Sequence, residues 1–227
     1  MCKAVLALAG LALASPVPAW AGDSAQLPRS TLSQVDPVEE GDAGPSAAAR
    51  RVADWIAASG DNGSLPYMIV DKKGASAFLF RANGKSIAQA PVLVGIAAGD
   101  DATPGVGRKK LAEIGPAEKT TPAGRFLAKY GLAAGKQRVL WVDYADSVAL
   151  HPIPKDVSPK ERRRQRMLSP AADDHRITFG CINVPTGFYQ KSVRPLFQKK
   201  GGYVYVLPDT KPLEVVFPSL RAQVALN

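Results

Sequence analysis

Between residues 67 and 97 the apolar residues fall into short runs separated by turn chemistry, and this rhythm constrains the fold more than any other feature. Tyr67-Met68-Ile69-Val70-Asp71 is one run and Lys72-Lys73-Gly74 a turn. Ala77-Phe78-Leu79-Phe80 is a second run, Asn83-Gly84 a tight-turn pair, and residues 90–97 a third run. Such lengths are those of strands, and Asn-Gly accepts the positive φ that a two-residue hairpin demands. The pattern predicts a β-meander. Its runs are apolar at nearly every position near the centre, so the sheet is expected to be covered on one or both faces. Further strands are expected at residues 139–144, at 147–150 (delivering His151 at its end) and at 203–207, closing the sheet. The fold class is therefore mostly β with short helices, a β-sandwich or half-barrel.

Around this sheet the other segments take their places. Ser46, followed by Ala47, Ala48, Ala49, Val52, Ala53, Trp55 and Ile56 and closed by Gly60, predicts a short packing helix within residues 47–64, capped by the serine hydroxyl. Residues 99–123, rich in Gly, Pro, Lys and Asp, are expected to form a long loop running into Thr121-Pro122-Ala123-Gly124-Arg125-Phe126. A polar insertion at 152–175 centres on Glu161-Arg162-Arg163-Arg164-Gln165-Arg166, expected as a helix with a basic face, either solvated or serving as a lid or docking patch. Residues 187–199 read as helical, and the extension 210–227 as an edge strand around 213–217. The main domain spans 65–209.

The amino terminus predicts export. Lys3, an apolar run over residues 4–14 and Ala19-Trp20-Ala21 before Gly22 make a signal peptide of residues 1–21. The run is about half the roughly 20 residues needed to span a bilayer. Residues 22–46 mix Pro, Gly and Ser with Asp23, Asp36, Glu39, Glu40 and Asp42 against Arg29 alone, and read as a flexible acidic linker. The net charge of +9 is thus concentrated in the body. In a periplasm, the expected destination, a basic body suits wall polymers or anionic envelope surfaces. No zinc finger, stacking-aromatic motif or basic helix points to nucleic acid.

Cleavage after Ala21 removes Cys2 and leaves Cys181 as the single cysteine. An unpaired thiol in an exported protein is buried, joined to another chain, or kept for reactivity. A reactive thiol needs a neighbouring base. Of the two histidines, His175 lies six residues upstream, roughly 20 Å along an extended chain, unless a sharp turn intervenes. His151 lies 30 positions away, enough to sit on a separate strand, and is the favoured base. Papain-like hydrolases place the cysteine first, the reverse of the order here. No second cysteine, histidine cluster or acidic helix suggests a metal, and no cofactor is expected.

His151, the gap, and then Thr178-Phe179-Gly180-Cys181-Ile182-Asn183 resemble the L,D-transpeptidases of the bacterial envelope. That family carries an upstream histidine followed by Ser or Thr, His, Gly, Cys, a hydrophobic residue and Arg or Asn. The Thr121–Phe126 segment is similar to its Thr-Pro-x-Gly-x-Phe element. The resemblance implies an L,D-transpeptidase-like fold acting on peptidoglycan stem tetrapeptides. Cys181 would attack the carbonyl before the terminal D-alanine and His151 would carry the proton, with no metal or cofactor. Gly180 and Cys181 amides would stabilise the oxyanion, and Thr178 and Asn183 would support the loop or bind substrate. A second stem, a D-amino acid, a protein lysine or water would accept the acyl group. Phe179 stands where the family keeps histidine, Pro152 where it commonly keeps Gly, and the gap is longer. Asn183 replaces a common Arg, leaving Arg176, Arg162 or Arg166 as substitutes for holding a substrate carboxylate. Two other readings are a hydrolase on the same scaffold and a non-catalytic wall-binding module.

Overall fold

The computed structural model of the chain describes residues 44–133 and 137–221. The expected signal peptide, the linker up to residue 43 and residues 222–227 lie outside the described residues. Ser46 accepts a hydrogen bond from the Ala49 amide and Gly60 turns left-handed, so the capping residues bound helix α1 at Ala47–Ser59. Its inward face is Ala49, Val52, Trp55 and Ile56. Strands β1 (Tyr67–Asp71), β2 (Ser76–Phe80) and β3 (Ser86–Pro91) form an antiparallel meander. A short strand β4 (Val94–Gly95) follows. A second meander is built from β5 (Gly124–Leu132), β6 (Arg138–Asp143) and β7 (Val148–Pro152).

The later strands join these pieces. β8 (Arg176–Thr178) lies parallel to β4, and β9 (Ile182–Val184) parallel to β7. β10 (Gly202–Val206) runs parallel to β1 and antiparallel to β5, linking the meanders at the centre of the sheet. The eight-stranded order is β3-β2-β1-β10-β5-β6-β7-β9. Leu93 exchanges backbone hydrogen bonds with Asn183, so the chain leaving β3 reaches the far edge and nearly closes the sheet.

Two apolar layers sandwich the sheet. Met68, Val70, Leu79, Leu140, Leu150, Ile182 and Val204 face inward against Tyr189, Val193 and Phe197. These last come from a continuous helical segment: α3 (Thr186–Phe188), a π turn (Tyr189–Val193) and α4 (Arg194–Phe197). Pro195 cannot donate to a carbonyl in the preceding turn, and the wide π geometry falls there. Tyr67, Ile69, Phe78, Phe80 and Tyr205 face outward beneath α1 and meet Phe217 and Leu220. Alternate residues of β1 feed opposite layers, which is why its run is apolar throughout.

Several expectations are corrected. The third run, expected as one strand over 90–97, is divided. β3 ends at Pro91, Val92 and Leu93 cross to β9, Val94–Gly95 pairs with β8, and Ala97 bridges Thr120. Its continuous apolarity records burial of a crossover. The loop at 99–123 carries three 3-10 turns, at Val106–Arg108, Leu111–Glu113 and Pro116–Glu118. Residues 203–207, expected to close the sheet, supply β10 at its centre. The expected edge strand at 213–217 is instead helix α5 (Leu213–Val216), because the Pro212 and Leu213 carbonyls take the amides of Val215 and Phe217. The insertion forms one short helix, α2 (Arg163–Met167), between two 3-10 turns, and Arg163 on it is buried. Among the described residues no helix is long and apolar enough to cross a membrane.

Candidate active site

The parallel pair β7–β9 sets His151 directly across from Asn183, with Leu150 across from Ile182. Cys181 immediately precedes β9. It stands two positions before Asn183, the residue across from His151. His151 lies inside β7 and not just past its end. Its Nδ1 is 2.7 Å from the Pro152 carbonyl oxygen and donates to it, which leaves the lone pair on Nε2. Pro152, where a glycine is common, thus supplies the carbonyl that sets the tautomer. The Cys181 thiol is half-buried and donates to the Ser147 carbonyl at 3.7 Å; no hydrogen bond joins it to His151 among the described residues.

Both groups are neutral near pH 7. Burial pushes the Cys181 thiol up, against the smaller pull of the Ala149 amide and the Arg163 cation. Burial pushes His151 down from 6.5; the Pro152 carbonyl opposes this and the Arg163 cation adds to it.

The turn that presents the cysteine is braced from both sides. Thr178 Oγ1 donates to the Cys181 carbonyl at 2.6 Å and accepts from the Gly180 amide at 3.2 Å. The Gly180 N–H is therefore occupied by Thr178, and of the two expected oxyanion donors the Cys181 amide remains the candidate. Thr121 Oγ1 donates to the Gly180 carbonyl at 2.8 Å and accepts from the Gly95 amide at 2.8 Å. Gly180 has φ +122°, and a Cβ there would sit 2.7 Å from the Thr120 carbonyl oxygen. Gly180→Ala is expected to cost about 1–3 kcal/mol and to displace Cys181, read as a drop in both melting temperature and thiol labelling rate. Thr121→Val, which strands the buried Gly95 amide, is expected to cost about 1–3 kcal/mol in denaturant unfolding.

Beneath Thr121 lies a buried ionic cluster that no sequence pattern announced. Lys72 sits in the first expected turn, yet it is 2% exposed. Its Nζ is 2.9 Å from the Thr121 carbonyl oxygen, 3.1 Å from Asp100 Oδ1 and 3.2 Å from Asp209 Oδ2. Arg176 belongs to this cluster, its Nη2 2.7 Å from Asp209 Oδ1. Arg176, expected to hold a substrate carboxylate, thus has its charge already paired to Asp209.

The remaining expected residues are also placed. Arg162 Nε donates to Gln165 Oε1, and Arg166 donates to the Glu161 and Asp174 carbonyls, so both spend these donors within the insertion. Arg163, not singled out from the run, is the one that reaches the site: its Nη1 donates to Asn183 Oδ1 at 2.8 Å. A five-residue helix carries too little periodicity to reveal which arginine turns inward. The ring of Phe179 lies under Lys119 Nζ, 3.8 Å from its centroid, a cation–π contact in place of an imidazole. His175 is buried with Nδ1 2.8 Å from the Val92 carbonyl and Nε2 2.9 Å from that of Ser169. Both ring nitrogens are occupied, so it is a clasp at the base of the insertion. Among the described residues no three His, Cys, Asp or Glu side chains are grouped to hold a metal.

No model of a known family matches the sequence, and no curated protein matches it. Solved structures similar to this chain include an avibactam carbamoyl enzyme, at 16% identity over 63% of this chain and 48% of that one, TM-score 0.36. The chain thus spans about half the length of that protein. The catalytic domain of an Enterococcus faecium L,D-transpeptidase is similar at 16% identity over 63% of this chain and 96% of that one, TM-score 0.38. A helical cell shape determining protein from Campylobacter jejuni is similar at 11% identity over 79% and 64%, TM-score 0.42.

Proposed function

We propose that this chain is a cysteine acyltransferase of the L,D-transpeptidase kind, exported to the bacterial envelope and acting on peptidoglycan stem tetrapeptides. The observation that supports the reading is the β7–β9 register, which sets His151 across from Asn183, two residues past Cys181, with the histidine tautomer set by the Pro152 carbonyl. The thiol turns from the Ser147 carbonyl towards His151 Nε2 as substrate arrives; such contacts commonly tighten only in the complex. Nε2 takes the thiol proton while sulfur bonds to the carbonyl carbon of the third stem residue. The Cys181 amide faces the developing oxyanion. The C–N bond breaks, the imidazolium returns its proton to the leaving D-alanine nitrogen, and a thioester remains. An amine of a second stem then attacks the thioester, losing a proton as the new amide forms and the thiol is restored.

Incubation with disaccharide tetrapeptide, followed by mass analysis, tests this reading. An acyl-enzyme and dimers lacking one D-alanine are expected. Tripeptide alone would make the protein a hydrolase, and binding without turnover a wall-binding module. His151→Ala is expected to slow acyl-enzyme formation by about 10²–10⁴-fold, whereas His175→Ala should lower the melting temperature first. Equal losses of acylation in the two would remove His151 from the mechanism.

The pH profile has a direction. Because the folded His151 titrates below 6.5, it stays a free base at neutral pH and loses that role only as pH falls. The acid limb of kcat/KM is thus expected below pH 6.5. Alkylation of free Cys181 should stay slow at pH 7 and climb only above the ordinary thiol range, since burial raises the thiol. Rapid labelling at pH 7 would contradict a neutral pair.

A further inference from the structure

A helix of five residues is too short to be held by its own turns, and α2 is fastened to the sheet through Arg163. Arg162 before it is left-handed, φ +51°, a conformation that non-glycine residues rarely take. Arg163 is 8% exposed, its Nε donating to the Glu161 carboxylate and its Nη1 to Asn183 Oδ1 at 2.8 Å. Asn183 stands across from His151 and two residues past Cys181. One buried cation is thereby set beside both members of the proposed dyad. The arrangement is unfavourable locally, because turning Oδ1 to the cation leaves Asn183 Nδ2 buried without a hydrogen-bond partner. Anchoring the insertion does not require it: His175 already ties Ser169 to Val92 at the insertion's base.

A guanidinium stays charged across the working pH range, so it acts as a fixed field. Such a field favours thiolate over thiol and neutral imidazole over imidazolium, and Cys181 and His151 both feel Arg163 in that sense. The other charges around the pair are few. The insertion also brings Glu161, whose side chain is 31% exposed, so water weakens its counter-charge. The β6–β7 turn brings Asp143 and Asp146 near the Ser147 carbonyl on which the thiol rests, and Lys119 lies over Phe179, two residues before the thiol. Of these, Arg163 is the charge that acts on both groups.

We infer that Arg163 is a positioning residue for the reaction: buried and bonded to Asn183, it holds a positive charge beside the pair and so assists attack by sulfur and return of the proton from His151 to the leaving amine. A cation there steadies negative charge on sulfur and makes the imidazolium a stronger acid towards that amine. The inference rests on the acyltransferase reading for the reaction, but the field itself is read on the free protein, without turnover. The basic insertion then carries a working part of the site.

Two titrations of the free protein decide the matter. One follows the His151 ring proton resonances, identified by their loss in His151→Ala; the other follows the pH dependence of Cys181 alkylation. In Arg163→Met both midpoints are expected to move up, and alkylation at pH 7 should slow by about 3- to 10-fold. Arg163→Lys, which keeps the charge, should stay closer to the wild type in both. Glu161→Gln removes the counter-charge and keeps Arg163, so both midpoints should move down and alkylation quicken; it stands in if Arg163→Met does not fold. A residue that only anchored the insertion would lower the melting temperature in Arg163→Met and leave the midpoints in place. Unmoved midpoints in a folded Arg163→Met protein, movements of opposite sign, or an equal shift in Arg163→Lys overturn the inference. Midpoints that move as expected in a protein that forms no acyl-enzyme uphold the field of Arg163 and remove only the acyltransferase reading.

Discussion

Cys181→Ala is expected to abolish the acyl-enzyme and to lower turnover on the tetrapeptide by a factor on the order of 10⁶, because nucleophile and base act as one unit. The strand register gives the expectation its force. Cys181 stands two residues before Asn183, which lies across from His151 in β7–β9, so removal of sulfur would leave the proposed base in place with nothing to deprotonate. The double variant Cys181→Ala/His151→Ala should then be no slower than Cys181→Ala alone. Additive losses would mean that the residues work independently. The alanine side chain removes the contact to the Ser147 carbonyl but fills no new space, so the fold should persist and melting should stay near the wild type. Turnover surviving in a folded Cys181→Ala protein would sink the mechanism outright.

Lys72→Met is expected to be the most destabilising substitution that leaves every proposed reacting group intact. Its ammonium is buried among Asp100, Asp209 and the Gly99 and Thr121 carbonyls. Deleting one partner of a buried ionic cluster typically costs about 3–5 kcal/mol, since the remaining carboxylates keep their burial and lose their counter-charge. For a unit of this size the melting temperature should fall by roughly 10 °C. Lys73→Met, one position along and exposed, should stay within about 0.5 kcal/mol. Asp100 adds a pH dependence. Burial pushes its carboxyl up, but the Lys211 amide, the Thr210 hydroxyl and the amides of Asp209 and Thr210 outweigh that and hold it well below the usual range. Its contribution is therefore complete above pH 3.8 and is lost as the pH falls from there. The loss should reach the site as well, because the Lys72 ammonium holds the carbonyl of Thr121, whose hydroxyl holds Gly180. A Lys72→Met protein that melts with the wild type would show that the cluster carries no stability.

Local chemistry made much of this protein legible without coordinates. Helix α1 could be bounded because Ser46 and Gly60 act within a turn of where they stand. The runs at β1, β2 and β10 declared strands, because burial on both faces favours apolar residues at nearly every position. Cys181 and His151 could be proposed as a pair because the chain offers only two histidines, and six extended residues would put His175 roughly 20 Å from the thiol. Tertiary structure alone decided the rest. Apolarity at 92–95 said that the segment is buried but not that it leaves β3 for β9, since pairing partners are chosen by distant strands. The arginines at 162, 163, 164, 166 and 176 look equivalent as letters. Only the fold turns Arg163 onto Asn183, spends Arg176 on Asp209 and leaves Arg162 within the insertion. Lys72 reads as a turn lysine until Asp100 and Asp209, 28 and more than a hundred residues away, surround it. A sequence specifies which side chains tolerate burial; which charges meet there depends on contacts that only the closed sheet creates.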